Sequence, residues 1–193
     1  MVERQGGIAI IGWGSLIWDL ERLAPHVAGD WRMGAGPRLP MEFARVSPKR
    51  KMGLVVCFDD REGAPCATHA IASRRGSLWR VVVDLARRER ASPARIGAVC
   101  RRTGRAHGRM PGVVEAVAAW CDAEGWQGAV WTDLEPNFRE HRGEAFSLEA
   151  AHAYLMSLEG ERLAEAVRYI RNAPETTDTP LRRRLGDCPW WQA

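Results

Sequence analysis

Residues 8–18, Ile-Ala-Ile-Ile-Gly-Trp-Gly-Ser-Leu-Ile-Trp, constrain the fold more than any other stretch of this chain. Four apolar residues in succession, three of them β-branched, predict a short buried strand. Gly12-Trp13-Gly14-Ser15 ends it in a turn, with one tryptophan inside the turn and Trp18 just after it. Glycines at 12 and 14 allow backbone angles that a Cβ forbids, so the amides after the strand can approach a ligand closely. Such a turn suits a carboxylate or phosphate; a tight turn beneath a hydrophobic cap uses the same residues. Two familiar nucleotide motifs are excluded. A dinucleotide fingerprint needs its third glycine at position 17, which is isoleucine, and no Gly-Lys-Ser/Thr follows to make a P-loop.

The chain has 193 residues, 46% apolar and 27% charged, enough for a substantial core and ordinary for a globular protein. No stretch approaches the ~20 apolar residues of a transmembrane helix. The N-terminal Met-Val-Glu-Arg-Gln-Gly-Gly lacks the basic-then-apolar layout of a signal peptide. Together these predict a cytoplasmic protein with no membrane partner. Five cysteines, at 57, 66, 100, 121 and 188, include no Cys-x-x-Cys pair. Cys66-Ala67-Thr68-His69 is the one Cys/His pair at ligand spacing, and no second pair completes it. With no His-x-x-x-His or His-Glu pair either, no metal is expected. The net charge is +4, with basic clusters at Pro48–Lys51 and Arg101–Arg109. Neither interleaves aromatics for base stacking, so no specific nucleic-acid partner is expected.

Further along, Arg38–Ser47, Gly53–Asp60 and Pro65–Ser73 read as strands, the first two joined by the basic turn. Ser77–Ala91 is a helix, Arg95–Arg101 a strand, Pro111–Glu124 a helix opened by its proline, and Gly128–Thr132 the last strand. Asp19–Pro37 and Asp133–Phe146 read as loops. Leu148, Ala151 and Leu155, then Leu163, Val167 and Ile170, make apolar stripes in an all-helical tail. Thr179-Pro180 starts a last short helix. Strands in front and helices behind predict an α+β fold in one domain, residues 1–193, with 147–193 as a helical C-terminal extension.

Among ionisable residues Glu89 stands out. Leu78, Val82, Leu85 and Glu89 fall at i, i+4, i+7 and i+11, on one helix face, while Arg80 and Arg87 point elsewhere. An inward carboxylate in a last turn, where the helix dipole disfavours its charge, suits proton transfer. Arg88 and Arg90 flank it, and the residues alone favour a glutamate at the end of the stripe that snorkels or pairs with arginine. Asp133 and Glu135 are rival carboxylates just past a strand, Asp133 as a turn-former and Glu135 held extended before Pro136. His152 reads as a core histidine, and His69 sits within a strand. Ser15 lacks the trailing glycine of a nucleophile elbow.

Trp13-Gly14-Ser15-Leu16-Ile17-Trp18 resembles the Tyr-Gly-Ser-Leu-hydrophobic-Trp signature of the gamma-glutamylcyclotransferase-like superfamily, which includes the ChaC-like enzymes. It differs at the first position, where Trp13 removes a phenol. The resemblance continues more loosely to Leu85-Ala86-Arg87-Arg88-Glu89, which matches the context of their catalytic glutamate. Many of those enzymes follow that glutamate with Gly-Tyr or a similar pair, where this chain has Arg90-Ala91. The resemblance implies a small mixed β-barrel with surrounding helices, and a small-molecule γ-glutamyl substrate. It implies Glu89 as the acid/base, with Trp13, Gly14, Ser15 and Leu16 forming the substrate-binding turn and no cofactor. Two other readings use the same features: a non-catalytic protein of this fold binding a small acidic ligand, and an RNA-associated protein using its arginines.

Overall fold

A computed structural model describes residues 6–192. The apolar run forms β1 (Ile8–Gly12), followed by β2 (Val27–Arg32), β3 (Arg38–Ser47), β4 (Gly53–Phe58), β5 (Ala64–Ala67) and β6 (His69–Ser73). Then come α1 (Leu78–Glu89), β7 (Ile96–Cys100), β8 (Arg105–His107), α2 (Pro111–Glu124) and β9 (Gly128–Thr132). Helices complete the chain: α3 (Phe138–Arg142), α4 (Leu148–Met156), α5 (Gly160–Asn172), α6 (Pro180–Gly186) and α7 (Pro189–Gln192). The fold is α+β. Its contacts divide it into two units, one of residues up to 38 with Ala67–Leu134, the other of Leu39–Cys66 with residues from 135 on.

The first unit is built on a six-stranded sheet in the order β2-β6-β1-β9-β7-β8. β1 and β9 run parallel, whereas β6 pairs with β1 and β7 with β9 antiparallel. Alternation along the strands sends Ile8, Ile10, Ile71, Ile96, Ala98 and Val130 to one face. There they form a core with Val81, Val82 and Leu85 of α1, joined by Leu16 and Leu23. Trp131 has the opposite parity and lies against Gly97 of the neighbouring strand, which leaves no room for a Cβ. Val114 of α2 approaches Gly108 beside the same ring, so α2 covers this second face.

The expected barrel is corrected here. The sheet is mixed, but among the described residues it closes no barrel and ends at β2 and β8. β8 is three exposed residues held by their pairing with β7, and the pairing of β2 with β6 slips between Ala28 and Arg32. Neither edge offers a regular ladder for closure. The single strand read over 65–73 is in fact two, β5 and β6, in different sheets. The break is at Thr68, whose Oγ1 donates to the Pro37 carbonyl at 2.7 Å and whose own carbonyl accepts from Gly36 N at 3.0 Å.

In the second unit β3 pairs antiparallel with β4, and β5 lies on the other side of β3. The helices read as an extension belong to this unit's core. α5 packs on β4, Tyr169 meets Phe43 edge-on, and the Tyr154 hydroxyl donates to the Met52 carbonyl at 2.6 Å. The buried Asn137 side chain clamps Val46, accepting from its N–H at 2.7 Å and donating to its carbonyl at 3.1 Å. Thr179 caps α6 as expected, its Oγ1 accepting from Arg182 N at 3.2 Å. Just ahead of that helix lies a fully buried carboxylate, Glu42 of β3. Its oxygens accept from Phe43 N at 2.7 Å and Leu181 N at 3.0 Å, with Thr179 as a side-chain partner.

Candidate functional site

β1 runs directly into the Trp-Gly-Ser turn. Ser15–Ile17 form one turn of 3-10 helix, closed by Ile17 N on the Gly14 carbonyl and Asp19 N on the Ser15 carbonyl, both at 2.9 Å. Trp13, Gly14 and Leu16 are buried, and Ser15 is half-buried. The turn is fixed from beneath by Leu16, which joins the core that α1 shares. The two glycines serve different ends, and Gly14 alone departs from both the helical and the extended regions. Neither has positive φ; Gly14 is at φ −128°, ψ −137°. Gly12 instead makes room for an aromatic ring, since a Cβ there would stand 2.7 Å from Cη2 of Trp31 and 3.1 Å from Cδ1 of Ile17.

α1 brings the charged groups. Its buried residues Val81, Asp84, Leu85 and Arg88 follow helical spacing, so the inward stripe ends at Arg88. Glu89 lies on the flank of that stripe. Its side chain is 15% exposed, against 2% for Arg88. The Arg88 guanidinium ties the site together. Nη1 donates to Oε1 of Glu89 at 2.8 Å, and Nη2 donates to Oγ of Ser15 at 3.2 Å and to the Asp19 carbonyl at 2.6 Å. Nε is buried with no hydrogen-bond partner among the described residues. Of the expected site residues, then, Ser15 and Glu89 meet through one arginine, and Trp13, Gly14 and Leu16 frame Ser15. Arg88 was expected only as a neighbour of Glu89. The signal that marks it is its spacing from positions 81, 84 and 85, which an apolar pattern alone does not include.

Two further groups adjoin the turn. His69 pairs across the sheet with Gly12 and is fully buried. Its Nδ1 accepts from Gly34 N at 2.7 Å, which puts the neutral ring's proton on Nε2, and burial holds its pKa below the ordinary value. Asp133 follows β9, which runs parallel to β1 with Trp131 opposite Ile11, so it leaves the sheet at the same end as Trp13. It is buried, donates its own N–H to the Arg95 carbonyl at 2.9 Å and accepts from Arg109 N through Oδ2. Its side chain thus ties the strand end to a distant loop in place of the local turn expected of it, and among the described residues Oδ1 has no hydrogen-bond partner.

The remaining candidates belong to the second unit, where the Glu135 carbonyl accepts from Nη1 of Arg45 at 2.5 Å. His152, also in that unit, accepts from Nε1 of Trp190 at 3.2 Å and is half-buried, not a core residue. Among the described residues no three His, Cys, Asp or Glu side chains gather as metal ligands, and no helix is long and apolar enough to cross a membrane. Comparison of the chain with family models, with curated proteins and with solved structures finds no match.

Proposed function

We propose that this chain is a gamma-glutamylcyclotransferase-type enzyme, which releases 5-oxoproline and an amine from a γ-glutamyl amide. One observation carries the reading: Arg88 touches Glu89 with one nitrogen and Ser15 with another. A sheltered carboxylate is thereby tied to the turn whose sequence resembles the substrate-binding turn of those enzymes. Arg90 adds support. It follows the glutamate at φ +55°, a conformation glycine adopts freely, and many enzymes of the superfamily carry glycine there.

The substrate's α-carboxylate lies at the amides that open the 3-10 turn, whose first N–H groups have no partner within it. This leaves the α-amine and the γ-carbonyl near Glu89. The neutral amine attacks the carbonyl carbon, and the new C–N bond closes a five-membered ring. Glu89 accepts the proton shed by the attacking nitrogen. The original amide C–N bond then breaks, and Glu89 returns the proton to the departing amine. Nothing is oxidised or reduced. Because both reacting groups belong to one molecule, positioning and a single base suffice.

The test uses γ-glutamyl-alanine and its N-acetyl counterpart. The protein is expected to release 5-oxoproline from the first and nothing from the second, whose blocked nitrogen cannot attack. Release from neither overturns the reading, and release of glutamate from the first with N-acetylglutamate from the second reassigns the site to hydrolysis.

A further inference from the structure

We propose that Arg88 is the positioning residue of this site, fixing Ser15 as a hydrogen-bond donor and Glu89 as a proton acceptor toward the substrate. The inference rests on the cyclisation reading above. A guanidinium only donates. The Ser15 oxygen that receives Nη2 at 3.2 Å must therefore use a lone pair there, and its single proton points away from Arg88. Directed at the substrate, that proton serves an anionic oxygen. Oε1 of Glu89 is likewise engaged by Nη1 at 2.8 Å, which leaves Oε2 to take the amine's proton.

The third bond sets the geometry. Nη2 also reaches the Asp19 carbonyl at 2.6 Å, and Asp19 N closes on the Ser15 carbonyl, so the guanidinium is anchored across the 3-10 turn. At 2% exposure no solvent competes for these bonds. Val81 and Leu85 on the same stripe show that an apolar side chain meets the packing need, and the other buried charge there, Asp84, is neutralised by Arg75 at 2.7 Å. A buried cation with an unpartnered Nε carries a desolvation cost that packing does not require. Lysine cannot replace it. A single ammonium on a flexible stem lacks the planar fork that reaches Glu89, Ser15 and Asp19 together.

Arg88→Lys and Arg88→Gln are compared with wild type in two measurements. The first is steady-state turnover of γ-glutamyl-alanine. The second is carbodiimide labelling of Glu89 read by mass spectrometry, with the exposed Glu140 as internal reference. Arg88→Lys is expected to lower kcat roughly 10–100-fold while KM moves less than about threefold, because orientation is lost and not binding. Glu89 labelling relative to Glu140 is expected to rise about fivefold or more once its partner is gone. A lowered melting temperature with wild-type kcat and wild-type labelling would make Arg88 structural only and overturn the proposal. Should Arg88→Gln not fold, Arg88→Lys keeps the cation, and Ser15→Ala breaks one arm of the fork without touching Arg88. Should the wild type turn over no γ-glutamyl amide, the cyclisation reading falls. Labelling then decides alone whether Arg88 holds Glu89: unchanged labelling removes it from that role.

Discussion

Glutamine at position 89 would leave Arg88 with a neutral partner in place of its counter-charge. Arg88 keeps its bonds to Ser15 and Asp19, and the Glu89 side chain is 15% exposed, so the loss falls short of that for a fully buried pair. Glu89→Gln is therefore expected to destabilise the protein by about 1–3 kcal/mol, measured by urea unfolding. A variant as stable as wild type would show that the ion pair contributes nothing to the fold. This pair also marks how far residues can be read from sequence. Glu89 was found by its spacing from Leu78, Val82 and Leu85. Arg88 is not legible in that way, because an arginine breaks an apolar periodicity even where its long side chain folds back over the 3-10 turn. Gly12 shows the same limit. Its place in a turn was legible, but its reason, the Trp31 ring packed against it, comes from a strand that was itself unread.

At the scale of elements, legibility followed the strength of the apolar pattern. β3, α2 and β9 lie where periodicity and Pro111 put them, because each buries a regular face. β2 was missed: Gly29, at φ +69°, and Asp30 interrupt its alternation. β8 has no buried residue to announce it. Thr179-Pro180 announces α6, but the carboxylate of Glu42 against Leu181 N and Thr179 is a contact no local pattern reveals. Burial pushes Glu42 up to about 7 from an ordinary 4.5, against hydrogen bonds from Thr179, Phe43 and Leu181 that pull it down, while Asp59 adds to the rise. A raised folded-state pKa means the folded protein holds this proton more tightly than the unfolded chain. Its stabilising contribution is complete below about 4.5 and is lost as pH rises through about 7. Between pH 5 and 8 the stability difference between wild type and Glu42→Gln is thus expected to shift by roughly 2–3 kcal/mol against wild type. Parallel unfolding curves across that range would show that Glu42 stays ionised throughout.

For the whole molecule, the α+β class was legible because strands and helices segregate along the sequence, and the barrel was not. Closure depends on edge pairing between strands distant in sequence, and the two edges here are a slipped ladder and a three-residue hairpin arm. The C-terminal helices read as an appendage because an apolar stripe does not name its partner; theirs is β4 and the aromatics around it. The site needed only short-range information at each of its two pieces, the turn after β1 and the end of α1. Their meeting is a property of the first unit's core, where Leu16 and Leu85 pack together. That meeting is the central claim, and one assay addresses it directly: 5-oxoproline and free amine, quantified from γ-glutamyl-alanine with wild type and Glu89→Gln. Wild type should yield the two products in equal amounts, and the variant should fall roughly 10²–10⁴-fold. Undiminished 5-oxoproline release by Glu89→Gln would contradict the account.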